Sequence, residues 1–136
     1  MIQRIQSVWL LLAAVAASLT FKFEYYSGIN LEHPTLYKVN AAENFPILLL
    51  TIAVSFLALC TIFLFKNRKL QMRLCILGIL LEALLIFMYY REVKTYTDGT
   101  LSFWAILHGI IVFLLFLAAR SINKDERMVK DSDRLR

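Results

Sequence analysis

The fold is decided by residues 45–90. They read FPILLLTIAVSFLALCTIFLF (Phe45–Phe65), KNRKLQMR (Lys66–Arg73) and LCILGILLEALLIFMYY (Leu74–Tyr90). Two apolar stretches of membrane-spanning length flank one short, strongly basic connection. A hydrocarbon core about 30 Å thick needs about 20 apolar helical residues, with a range of about 17–25. The connection is too short for anything but an antiparallel helical hairpin. Arg91–Thr100 is also short, with Asp98-Gly99 as a turn signal, and leads into a third apolar stretch, Leu101–Ala119. Upstream, Ile5–Phe23 supplies a fourth.

Composition agrees. At 136 residues the chain has the length of one domain, and it is 60% hydrophobic with a mean hydropathy of +0.64. The expected fold class is all-α: an integral membrane four-helix bundle over residues 1–120, followed by a charged cytoplasmic helical tail over 121–136.

Charge sets the expected orientation. Arg4, the group Lys66, Arg68, Lys69 and Arg73, and the group Arg120, Lys124, Arg127, Lys130, Arg134 and Arg136 fall on one side of a four-span protein. Lys22, Lys38, Arg91 and Lys94 fall on the other. Eleven cations against four place both termini in the cytoplasm. A signal peptide competes for the start, because Met1–Arg4 is basic, Val8–Ala17 is apolar and Ala14-Val15-Ala16 resembles a cleavage site. Apolar character running on to Phe21 and Phe23 favours a retained span. The net charge of +5 flanks spans and points to lipid head groups, with no nucleic acid expected. Cys60 and Cys75 lie near the reducing side and are expected as small buried hydrophobes.

Small residues four apart, Ala13/Ala17 and Ala14/Ser18, with Ala105/Gly109 in the last span, mark expected sites of close helix approach. Pro46 falls in a first helical turn, where its missing N–H is harmless. The long connection Lys22–Asn44 alternates over Phe21–Tyr25 and reaches Ser27-Gly28, and a second apolar cluster covers Leu36–Val39. Two short strands and an irregular loop anchored by its tyrosines both fit, and the irregular loop is favoured. In the tail, Glu126 stands four residues before Lys130, Ile122 seven before Val129 and Met128 seven before Leu135. This predicts a helix continuing out of the last span with a narrow apolar edge.

Two polar residues inside spans stand out. Glu82 lies about 13 Å past Arg73, and His108 about 18 Å from Arg120, at 1.5 Å per helical residue. An ionised carboxylate at that depth must face the bundle and be paired or protonated, and His108 is its natural partner. Such a pair could relay a proton, but a structural interhelical hydrogen bond is the favoured reading. No Cys/His spacing suits a metal, His33 being the other histidine, and no nucleophile motif, P-loop or dinucleotide fingerprint is present. No enzyme activity and no cofactor are expected.

Three segments together carry a resemblance: Met1–Ser7 (MIQRIQS), Lys66–Cys75 (KNRKLQMRLC) and Ala118–Arg136 (AARSINKDERMVKDSDRLR). They resemble a bacterial family of small four-span membrane proteins catalogued as domain of unknown function 4293, over the whole length. The resemblance implies a multi-pass protein of the bacterial inner membrane. It brings no activity, ligand or active site, and neither Glu82 nor His108 belongs to its pattern. It draws attention to the cytoplasmic face, where Lys66, Arg68, Lys69, Arg73, Lys124, Glu126, Lys130 and Arg134 could dock a protein partner. The expected function is an accessory or scaffold subunit. The alternative is a small proton-coupled transporter or channel subunit using Glu82 and His108. The partner's identity and the oligomeric state stay open.

Overall fold

The computed structural model describes residues 2–29, 34–42 and 44–136, with Ile2, Gln3 and Arg4 described by their backbone alone. His33 lies outside the described residues. Four α-helices dominate: α1 (Ile2–Leu19), α2 (Phe45–Phe63), α3 (Arg68–Val93) and α4 (Ile106–Arg134). Helix α1 packs on α2 and α4, and α3 packs on the same two helices. The result is an up-down-up-down ring with sequential neighbours antiparallel.

The core follows from one period. Buried positions run Gln6, Leu10, Ala13 and Ala17 on α1 with Thr20 just past its end, and Ile47, Thr51, Val54, Ala58 and Thr61 on α2. On α3 they run Gln71, Cys75, Gly78, Glu82, Leu85 and Tyr89, and on α4 His108, Ile111, Leu115, Ala118, Ile122 and Asp125. Every series steps by alternating threes and fours, the 3.5-residue repeat that keeps a narrow seam facing its neighbours. The opposite faces stay apolar and exposed, as at Leu49, Phe56, Leu80, Phe113 and Phe116.

Helices α2, α3 and the continuous helix from Phe103 are long and apolar enough to cross a membrane; the apolar segment Ile5–Leu19 is shorter. Asn67 caps α3 by accepting the Leu70 N–H at 3.4 Å, and Pro46 occupies the first turn of α2. The tail is helical as expected, since α4 runs without a break to Arg134.

Three expectations need correction. The fold is not purely helical. Strands β1 (Tyr26–Ile29), β2 (Tyr37–Val39) and β3 (Asp98–Leu101) form an antiparallel sheet in the order β2-β1-β3. Two of the strands form in the long connection in place of the expected irregular loop, and Ser27-Gly28 lies within β1. Asp98-Gly99 is strand and not turn. The reason is a close approach between segments remote in sequence. Gly28 pairs with Gly99, and a Cβ on Gly99 would fall 2.7 Å from the Gly28 Cα. These glycines serve contact between strands rather than reversal of the chain. A two-stranded ribbon is marginal alone, and the third strand comes from the α3–α4 connection, beyond the reach of a local pattern. Finally, Ala105/Gly109 is not a close-approach site, because nothing lies within 4 Å of a Cβ built on Gly109. Ala13 and Ala17 do lie in the core, each 1% exposed.

The sheet closes one end of the bundle. Tyr26 and Val39 join Ala41, Ile47, Leu85 and Tyr89 in a cluster separate from the main core. This is termed the sheet end, and the opposite end, where α4 projects, the tail end.

Candidate functional site

Glu82 and His108 occupy facing seams on α3 and α4. Glu82 Oε1 lies 2.6 Å from His108 Nδ1, with 1% of the Glu82 and 5% of the His108 side chain exposed. That separation is a hydrogen bond, with donor and acceptor set by the histidine tautomer. One helical turn from Glu82, Gly78 lets α2 and α4 close in. A Cβ there would meet Leu115 Cδ1 and Leu57 Cδ2 at 3.3 Å.

Tyrosine rings cover the pair. Tyr89, two turns along α3, stacks on Tyr25 with centroids 4.2 Å apart and planes 16° apart. His108 meets the edge of Tyr25 at 5.4 Å and tilts against Tyr89 at 5.0 Å. Tyr25 belongs to the long connection, and its backbone is pinned on both sides. Its N–H donates to the Val39 carbonyl at 2.7 Å, and its carbonyl accepts from the Ser102 N–H at 3.0 Å. Burial raises the pKa of the Tyr25 hydroxyl. Besides the cluster around Tyr26 and Val39, the Tyr25 ring fastens the connection to the bundle, and it touches His108.

From the pair toward the tail end the seam is apolar, filled by Cys75, Ile111, Leu114, Leu115, Ala118 and Ile122. Core hydroxyls close on their own helices. Thr51 donates to the Ile47 carbonyl at 2.8 Å and Thr61 to the Leu57 carbonyl at 2.6 Å. Among the described residues no three His, Cys, Asp or Glu side chains could hold a metal together. The arrangement can hold one proton in a fixed place under aromatic cover.

The tail end is built differently. The Nε of Arg68, at the start of α3, approaches Asp125 Oδ2 on α4 to 3.2 Å. The N–H is not aimed at that oxygen, which lacks a hydrogen-bond partner, so the contact is an ion pair without a directed bond. Gln71 Nε2 donates to the Thr61 carbonyl at 3.1 Å, while its buried Oε1 is unpartnered. Gln6 Nε2 donates to the Ser121 carbonyl at 3.2 Å. Glu126 pairs with Lys130 at 3.0 Å. The hydrogen bond from Lys130 lowers the Glu126 pKa, helped by the positive charges of Lys130, Lys69 and Arg68.

The structure therefore brings Lys66, Arg68, Lys69 and Glu126 to one open concavity of about 480 Å³. Lys130 joins them through Glu126. Arg73, Lys124 and Arg134 are exposed and do not line this concavity. Sequence reasoning missed Tyr25, Gln6, Gln71 and Asp125 as contact residues. A signal existed for the last three. Each extends its helix's seam by one step of three or four, from Leu10, Cys75 and Ile122. Nothing local marks Tyr25, whose partners come from α3 and α4.

Fold and site define a class. This is an antiparallel four-helix bundle with three helices of membrane-crossing length and a sheet over one end. It carries a buried carboxylate–imidazole pair. The family model described as Domain of unknown function (DUF4293) matches residues 2–135, and the chain belongs to that family. No curated protein matches it, and no solved structure does.

Proposed function

We propose that the protein is a four-span adaptor of the bacterial inner membrane, with both termini cytoplasmic, that holds out a helical arm to a protein partner. It acts without catalysis. The observation that carries this reading is the course of α4. Its seam is buried through Ile122 and Asp125, and the same helix then runs on exposed from Arg127 to Arg134. Met128, Val129 and Leu135 are 45%, 41% and 90% exposed. A bundle does not need such an arm to span a bilayer. Mixed charge with a thin apolar edge suits a protein surface.

A second reading, a small proton-coupled transporter, is favoured by the Glu82–His108 contact. Transport needs polar groups on both sides of the pair, and the apolar seam toward the tail end weighs against it.

One comparison separates the two. Glu82→Gln keeps a hydrogen-bonding group of the same shape but cannot titrate. Interhelical bonds of this kind average about 0.6 kcal/mol. Under the adaptor reading, Glu82→Gln leaves the cellular phenotype nearly intact, while removal of residues 126–136 reproduces a gene deletion. Loss of function from Glu82→Gln at wild-type abundance, with the truncation active, overturns the adaptor in favour of the transporter.

A further inference from the structure

We propose that the α2–α3 turn and the first turns of α3 form a binding site for the phosphate head group of an anionic phospholipid. Lys66, Lys69 and Arg73 hold the phosphate, and one acyl chain lies along α3. The inference rests on the membrane placement proposed above but not on the arm's protein partner.

Several observations converge on these three cations. Arg68 is committed to Asp125, and Lys130 neutralises Glu126. Lys66, Lys69 and Arg73 are exposed and have no ion pair among the described residues. Lys66 and Lys69 line the concavity at the turn. Arg73 stands one turn beyond Lys69 on the same face of α3. The N-terminus of α3 adds the positive end of a helix dipole, and its first N–H groups have no carbonyl four residues back within the helix.

The apolar half of the site continues the same face. From Lys69 and Arg73 the helical steps of three and four lead to Leu77, Leu80 and Leu84, exposed by 45%, 61% and 46%. Phe65, 52% exposed, borders the turn itself. Cations directly above an unbroken exposed leucine stripe match a charged head group above a hydrocarbon chain. An acidic protein segment would engage the cations and leave the stripe outside the site.

The test uses the full chain, purified and reconstituted into phosphatidylcholine bilayers with and without phosphatidylglycerol. Native mass spectrometry then counts retained lipid. Each cation near an anionic surface favours binding about fivefold, so three give roughly hundredfold preference for phosphatidylglycerol over phosphatidylcholine. Lys66→Gln/Lys69→Gln/Arg73→Gln should abolish the preference, and Lys66→Arg/Lys69→Arg should keep it. Lys22→Gln/Lys38→Gln/Lys94→Gln, an equal charge change at the sheet end, should leave it unchanged. Circular dichroism on each variant confirms the helices. A chain that inserts but retains both lipids equally overturns the lipid site and leaves the membrane reading standing. Equal loss from the control triple variant overturns it too, because the effect is then net charge. So does displacement of phosphatidylglycerol by inorganic phosphate, which makes the site one for the free ion. Failure to insert into either bilayer overturns the membrane reading itself.

Discussion

The two ends of the bundle solve the same problem differently. Both place polar side chains on helix seams that are otherwise apolar. At the sheet end, Glu82 and His108 bond to each other under the rings of Tyr25 and Tyr89. At the tail end, Gln71 Oε1 and Asp125 Oδ2 are buried without a hydrogen-bond partner among the described residues. A satisfied buried network fixes one arrangement, whereas a partly satisfied one leaves energy to be gained by rearrangement. This contrast predicts a rigid cap at the sheet end and a tail end able to respond to something outside the molecule.

The largest effect that could break this contrast is at Tyr25. Tyr25→Ala removes a stack and an edge contact and leaves His108 covered by Tyr89 alone. Deleting a core aromatic costs about 3–5 kcal/mol, and Tyr25 is half-buried, so about 2–3 kcal/mol is expected. Tyr25→Phe keeps the ring and should cost under 1 kcal/mol. Unfolding in mixed micelles measures both, and thiol labelling of a Ser27→Cys reporter shows whether the sheet comes away. Equal stability of the Ala and Phe variants would mean that the ring does not rivet the cap.

A smaller effect is expected at Asp125. Its side chain is 11% exposed and that of Arg68 is 25% exposed, so Arg68 can regain water once its partner is gone. Asp125→Ala should therefore cost about 1 kcal/mol, the upper figure for an exposed pair and below the loss from breaking a fully buried one. Hydrogen exchange should speed up along α4 beyond Ile122 and stay unchanged near His108. Faster exchange at both ends would show that the ends are coupled and the contrast is false.

The sequence carried the four helices because apolar runs of that length admit few alternatives. It also named Glu82 and His108 as natural partners, because depth along two antiparallel helices can be computed from the rise per residue, but it left open whether they touch. The seams, in steps such as Gln6, Leu10, Ala13, Ala17, were not read from the sequence. Hydropathy conceals them, since a lipid-facing leucine and a core leucine read alike. That is why Gln71 and Asp125 stand out only once the period is followed. The sheet was not legible. Its register joins Gly28 to Gly99, 71 positions along the chain, and neither strand exceeds four residues. The stack of Tyr25 on Tyr89 depends on that sheet and was hidden with it.

The smallest expected effect is on pH dependence, and it separates the ends by sign. Burial raises the pKa of Tyr25 above its ordinary value near 10. The folded state then favours the neutral phenol more than the unfolded chain does. That stabilisation is complete below the unfolded pKa and is lost as pH rises through the folded one. Glu126 is shifted the other way. Its hydrogen bond to Lys130 and the charges of Lys130, Lys69 and Arg68 lower its pKa. Its stabilisation is present above the unfolded carboxylate pKa and is lost as pH falls through the folded one. The sheet end should therefore loosen in alkali, and the arm should fray in acid. Both effects are small because both groups reach water, and added salt should weaken the one at Glu126. Tyrosinate absorbance, compared with Tyr25→Phe, reports the first. Helical circular dichroism, compared with Glu126→Gln, reports the second. If Tyr25→Phe removed the acid transition, or Glu126→Gln the alkaline one, the two ends would be titrating as one unit and the division between a rigid cap and a responsive tail end would fail.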